Sequence, residues 1–270
     1  MNVDRLAAIL KQAAQEEIMP RFRRLDDGDI QTKTGAFDLV TEADTNAERV
    51  ITAAINAHRP DYLVIGEEAV AANPELLQSN LEDRIVIYVD PVDGTANFAG
   101  GLPLFAVMAS VVQNGETVAG VIYDPVGDDV LMAECGCGTW QVFPDGRTIR
   151  QKFADPVPLS EMGGLASTSF LPVDQRAVVL GNLAKVKMLA SYRCAGHEYR
   201  YAAGGNIHFL AYGKLMPWDH VGGALMMREC GAHVAKFDGS EYRPSDISGG
   251  LLVAPDKESW DELKRDVFTV

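Results

Sequence analysis

The run Ile85-Val86-Ile87-Tyr88-Val89, cut off by Asp90, constrains this chain more than any other segment. Consecutive β-branched and aromatic residues, too few for a helix, predict a buried strand. Tyr62-Leu63-Val64-Ile65 is a second such run and ends at Gly66. Each strand delivers carboxylates at its C-terminal end, Glu67 and Glu68 after the first and Asp90 after the second. Upstream, Leu6, Ile9, Leu10 and Ala13 fall at helical spacing and predict an amphipathic helix ended at Pro20. Thr41 with Asp44 three residues on resembles a capping box, and Ala47, Val50, Ile51, Ala54 and Ile55 then share one face. That second helix should stop near His58-Arg59-Pro60.

Downstream, Phe105 to Gln113 and Glu116 to Tyr123 flank Asn114-Gly115, a two-residue hairpin signal. A second strand pair, Val130 to Cys135 and Thr139 to Phe143, is joined by Gly136-Cys137-Gly138. Residues 144–160 hold three Pro and predict a surface crossing. Beyond it, 178–190, 199–211 and 220–230 read as helices alternating with short strands. This order predicts an α/β (α+β) layered sandwich of mixed sheets and helices. Residues 1–270 are expected to form a single module, with halves of about 1–145 and 155–270.

The chain has 270 residues, with 24 Lys+Arg against 38 Asp+Glu and a formal net charge of −14. Such an excess repels phosphate backbones and anionic lipid, so no nucleic acid and no membrane partner is expected, while divalent cations are favoured. Charges recur through Met1 to Arg24, and no apolar run reaches about 18 residues. Neither a signal peptide nor a membrane span is therefore expected, and the predicted compartment is cytoplasmic. Cys135, Cys137, Cys194 and Cys230 form no C-x-x-C pair and read as reduced, buried thiols.

The most informative segment is Asp90-Pro91-Val92-Asp93-Gly94-Thr95. A strand ending in Asp, a Pro that fixes φ and a second Asp put two carboxylates on one turn and leave the Val92 carbonyl available. Alone, such a turn is more often an Asp-Pro turn closed by an Asx bond. Gly66-Glu67-Glu68, Asp44 and Trp218-Asp219 add further carboxylates, although Asp219 could simply cap the helix that follows. Carboxylates converging without bases repel one another and call for bound cations. Mg²⁺ suits this oxygen-only supply. The five His residues are scattered and read as structural.

In order and spacing, Asp38-Leu39-Val40-Thr41 to Asp44, Gly66-Glu67-Glu68, Asp90-Pro-Val-Asp-Gly-Thr95 and Trp218-Asp219 resemble the inositol monophosphatase family of Mg²⁺-dependent, lithium-sensitive phosphomonoesterases. The resemblance runs from Lys33 to Gly231. It implies a sugar-phosphatase-like fold, a homodimer, a small phosphorylated metabolite as substrate and two or three Mg²⁺ ions. It assigns Glu67, Asp90 and the Val92 carbonyl to one ion and Asp90, Asp93 and Asp219 to a second, with Glu67 near a third. It gives Thr95 and Asp44, with Glu67, to activation of the attacking water, and the Gly94 and Thr95 N–H groups to phosphate. Asp93, Ala195, Tyr212 and Asp219 would face the substrate, Lys33 matches a basic residue near the site, and Glu198 is a further candidate. Glu68 is left out of the metal set.

Two departures bear on substrate. Tyr212 stands where inositol-type enzymes commonly carry a Glu, and Cys194-Ala195-Gly196-His197-Glu198 replaces a small-polar pocket wall. Inositol 1-phosphate is the family default. Histidinol phosphate, a sugar bisphosphate or a 3′-nucleotide are alternatives, as is a regulatory protein-binding module.

Overall fold

Apolar residues at helical spacing build α1 (Val3–Ala13), which runs on through a wider π turn to Ile18 before the chain turns at Met19. The structure, a computed structural model, describes residues 2–35, 38–78 and 83–270. A short hairpin of β1 (Ile30–Gly35) and β2 (Asp38–Thr41) leads into α2 (Glu42–His58), capped at Thr41 as its sequence predicts. Then come β3 (Leu63–Gly66), α3 (Glu67–Ala72), β4 (Ile85–Asp93) and the single turn α4 (Thr95–Ala99). An antiparallel meander follows: β5 (Ala106–Gln113), β6 (Glu116–Asp124), β7 (Asp129–Glu134), β8 (Gly138–Val142) and β9 (Thr148–Arg150). Asn114 and Gly115 both take positive φ in the first hairpin, as the Asn-Gly pair predicts.

The C-terminal elements are β10 (Gly163–Ser167), α5 (Val173–Leu183), β11 (Met188–Ala190), α6 (Ala195–Ala203), β12 (Phe209–Tyr212), α7 (Pro217–Glu229), β13 (His233–Lys236), β14 (Leu251–Ala254) and α8 (Lys257–Asp266). Two predicted helices are shorter than expected. Helix 178–190 ends at Leu183, because Met188 to Ala190 pair in parallel with Gly163 to Leu165 as a sheet edge. Helix 199–211 ends at Ala203, where Gly204 and Gly205 break it, and Phe209 to Tyr212 become a strand held between β10 and β14. The crossing at 144–160 adds β9 to the meander.

Strands β3 to β9 form a seven-stranded sheet in sequence order, and β11-β10-β12-β14-β13 form a five-stranded one. Side-chain alternation dictates the layers. In β4, Ile87 and Val89 meet α1 and α2, whereas Val86 and Tyr88 face α6 and α7. In β12, Leu210 and Tyr212 join that central layer, and Phe209 and Ala211 turn outward to α5 and α8. The buried run that predicted β4 is thus apolar throughout because both faces are covered. Helix α7 crosses the large sheet closely, since a Cβ at Gly120 would lie 2.9 Å from the Gly222 Cα. Among the described residues no helix is long and apolar enough to cross a membrane.

Candidate active site

The β4–β5 register breaks between Asp90 and Asp93, where Pro91 has no N–H to give to the ladder. The break turns both carboxylates toward the end of the sheet, and the Val92 N–H donates to Asp90 Oδ1 at 3.0 Å. Asp219 arrives from the first turn of α7. It does not cap that helix, whose N-cap is Met216 and whose first position is Pro217. Carboxylate oxygens of Asp90, Asp93 and Asp219 all lie within 4.8 Å of one another. Burial raises the pKa of each, reinforced for Asp90 by the charges of Glu67, Asp93 and Asp219. No Lys, Arg or His of the described residues forms a direct ion pair with the three, although the charge of Lys214 partly offsets burial at Asp219.

Asp93 is the most tightly held of them. Its Oδ2 accepts from the Gly196 N–H at 2.5 Å and the Cys194 thiol at 3.0 Å, and its Oδ1 from the Ala195 N–H at 3.2 Å. These donors oppose the effect of burial on its carboxyl. Gly196 is required here, because a Cβ would come within 2.8 Å of the Ala106 Cβ. The Cys194 contact is invisible in the sequence, which predicts only that the thiols are buried. Cys194 and Cys230 are buried, but Cys135 and Cys137 lie exposed in the β7–β8 turn.

Beside the cluster, the Thr95 hydroxyl lies 3.0 Å from both Asp44 Oδ1 and the Val92 carbonyl, and can donate to one at a time. The capping box of α2 orients Asp44: its Oδ2 accepts from the Thr41 N–H at 2.8 Å and the Thr41 hydroxyl at 2.5 Å. Burial lifts the Asp44 carboxyl to about 6, against the pull of those hydrogen bonds. Gly94, at φ +88°, allows the turn from β4 into α4, and a side chain there would meet the Leu104 carbonyl at 2.8 Å.

Glu67 and Glu68 open α3, and both bind Lys33, with Nζ 2.9 Å from Glu67 Oε1 and 2.6 Å from Glu68 Oε1. Lys33 therefore sits where the sequence places a basic residue, and here it holds Glu67 outside the close carboxylate cluster. Burial disfavours its ammonium, yet the two carboxylates outweigh burial and raise its pKa. Burial also raises Glu68, to about 7. Glu48 was not anticipated. From α2 it accepts the Glu68 and Ala69 N–H groups, each at 2.8 Å, and so anchors the start of α3. A Cβ at Gly66 would lie 2.2 Å from that carboxyl group. Gly66→Ala should destabilise the protein by about 1–3 kcal/mol, read as a lower denaturation midpoint, and should reduce turnover because Glu67 shifts with α3.

The carboxylates, Thr95 and Gly94 form one side of a cavity of about 580 Å³. Ala195, Glu198, Tyr212, Lys214, Arg193 and the loop from Ser167 to Phe170 line it as well. Asp44 stands behind Thr95, and Lys33 behind Glu67. The structure thus brings the sequence-predicted residues to one place, and adds Cys194, Glu48, Arg193 and Lys214. His220 is buried, bridging the Tyr199 hydroxyl and the Lys214 carbonyl, and burial holds its pKa down at about 3, consistent with a structural role.

The sequence model of the inositol monophosphatase family matches residues 2–267. The chain belongs to that family. An inositol-1-monophosphatase of Mesorhizobium japonicum is 34% identical over 260 residues, covering 92% of this chain and 91% of that protein. A fructose-1,6-bisphosphatase/inositol-1-monophosphatase of Thermotoga maritima is 31% identical over 228 residues, covering 83% and 80%. Among solved structures, an IMPase of Thermotoga maritima superposes with a TM-score of 0.80 at 26% identity, over 98% of this chain and 96% of that one. Membership of the inositol monophosphatase family makes the chain a phosphoric monoester hydrolase, and its layered α/β architecture is the family fold.

Proposed function

We propose that the protein hydrolyses a small phosphate monoester with the help of two or three Mg²⁺ ions. The observation that carries this reading is the cluster of Asp90 and Asp93, both buried, with the half-buried Asp219, none of them in a direct ion pair with a described residue, at the wall of a cavity. Its donors are all oxygens, which fits a hard cation such as Mg²⁺ and disfavours a soft one. Asp90, Asp93, Asp219 and the Val92 carbonyl would hold the metal, with Glu67 at its edge. When bound, Mg²⁺ supplies charge neutralisation at the phosphate and lowers the pKa of water. The Gly94 and Thr95 N–H groups would hold the ester phosphate. Thr95 would orient the attacking water and pass its proton toward Asp44, whose Oδ2 is occupied by Thr41 and whose Oδ1 faces the Thr95 hydroxyl. Release of inorganic phosphate from a panel of monoesters at fixed Mg²⁺ tests the reading, and a panel without turnover overturns it.

Asp44 must be ionised to take a proton. Because its carboxyl is raised to about 6, kcat should rise as pH climbs through about 6 and be lost below it. A kcat profile in saturating Mg²⁺ checks this, and Asp44→Asn should leave a low rate without that limb.

Inositol 1-phosphate is not the preferred ester in this reading. Tyr212 replaces an acidic partner for the polyol hydroxyls, and one such lost hydrogen bond is worth about 1–3 kcal/mol. The comparison of kcat/KM for inositol 1-phosphate, glycerol 2-phosphate and adenosine 3′,5′-bisphosphate should place inositol 1-phosphate below the best ester. Tyr212→Glu should narrow the gap. Inositol 1-phosphate leading by about tenfold in the wild type would contradict it.

Residues 1–270 would act as a single catalytic module, with most metal ligands in the half before about residue 145 and Asp219 in the other. Lithium sensitivity, a homodimer and a cytoplasmic location complete the proposal and rest on the family resemblance and the acidic, soluble composition.

A further inference from the structure

Glu198 is 2% exposed, yet no Lys, Arg or His of the described residues pairs with it. Buried carboxylates are ordinarily paired with a cation or fully hydrogen-bonded. Both hydrogen bonds to this one fall on Oε1, from the Tyr192 N–H at 2.8 Å and the Ser191 hydroxyl at 3.4 Å. Oε2 receives none from a described residue. The Tyr212 hydroxyl is buried beside Glu198 without a hydrogen bond of good geometry, yet close enough that its donor pull opposes burial, which raises the Glu198 carboxyl to about 7. Both residues line the cavity that holds Asp90, Asp93 and Asp219. Two polar groups with unused capacity therefore line the same cavity.

Their position relative to the acidic cluster is fixed by α6. The N–H groups of Ala195 and Gly196, in the first turn, bind Asp93, and Glu198 follows Ala195 by three residues, on the same helix face. A group bound at Glu198 is thus one helical turn from the N–H groups that hold Asp93. Two cationic side chains, Lys214 and Arg193, also line the cavity. Lys214 Nζ sits 5.4 Å from the centre of the Phe170 ring, and Arg193 precedes the helix.

We propose that Glu198 and Tyr212 form the leaving-group subsite and that it takes a phosphate ester whose alcohol carries an ammonium group. The ammonium pairs with Glu198 Oε2, and the Tyr212 hydroxyl accepts a second of its hydrogens. This inference rests on the phosphomonoesterase reading above. A neutral hydroxyl in the same place would leave the carboxylate without a counter-charge, and a carboxylate or second phosphate would repel it.

The test uses the full chain in saturating Mg²⁺ with three matched series of alkyl phosphates, two to four carbons long, ending in an ammonium, a hydroxyl or a carboxylate. For at least one length, kcat/KM should favour the ammonium ester over its hydroxyl partner by about tenfold or more, with the carboxylate ester poorest. Glu198→Gln should bring the ammonium-to-hydroxyl ratio to within about threefold, chiefly through KM for the ammonium ester. The wild-type ratio stands by itself should that variant not fold. Equal turnover of ammonium and hydroxyl esters, or preference for the carboxylate series, overturns the inference while leaving the phosphatase reading intact. Absence of phosphate release from every series and from the monoester panel removes both.

Discussion

Asp93→Asn is expected to lower kcat by about a hundredfold or more while the protein stays folded. The substitution removes one charge from a cluster whose carboxylate oxygens lie within 4.8 Å of one another. It also misplaces a donor. Oδ1 and Oδ2 both accept, from Ala195, Gly196 and Cys194, so whichever way the amide turns, its NH₂ faces an N–H or a thiol. The fold should survive because burial already disfavours the ionised Asp93, and removing its charge relieves the repulsion with Asp90 and Asp219. Phosphate release and a thermal melt of the same preparation separate the two effects. The Mg²⁺ concentration for half-maximal rate should rise in the variant, since a ligand charge has gone. Near-wild-type kinetics would remove Asp93 from the reacting site.

Much of this arrangement is legible in the sequence where one local rule acts alone. The Asn114-Gly115 hairpin, the Thr41–Asp44 cap and the strand starting at Ile85 follow from turn chemistry, capping and β-branching, although that strand runs past the predicted end at Asp90 to Asp93. Prediction failed where distant pairing decided the outcome. Met188 to Ala190 and Phe209 to Tyr212 are short apolar stretches that periodicity alone cannot tell from helix ends, and they became strands because β10 lies between them. Gly204-Gly205 was the available signal for the second of these.

The site divides in the same way. Asp90, Asp93 and Thr95 share one turn, so their proximity is a local property. Asp219 converges on them from more than a hundred residues away, and in the sequence alone it read equally well as a helix cap. The Lys33 bridge to Glu67 and Glu68, the Glu48 anchor of α3 and the Cys194 thiol on Asp93 are contacts between separate elements. No spacing rule announces them. Glu198 sits between these cases: the sequence shows an acidic residue in an unexpected segment, and burial without a partner gives it chemical meaning.

The central claim is that the carboxylates at the end of β4 and the start of α7 work as a divalent-cation site for phosphate ester hydrolysis. Titrating Mg²⁺ into metal-free protein while following phosphate release tests it most directly. The rate should start at background, rise to saturation with Mg²⁺ and return to background with excess EDTA, because the single charge of Lys214 acting on Asp219 does not balance three clustered carboxylates. Turnover that persists at full rate in EDTA would contradict it.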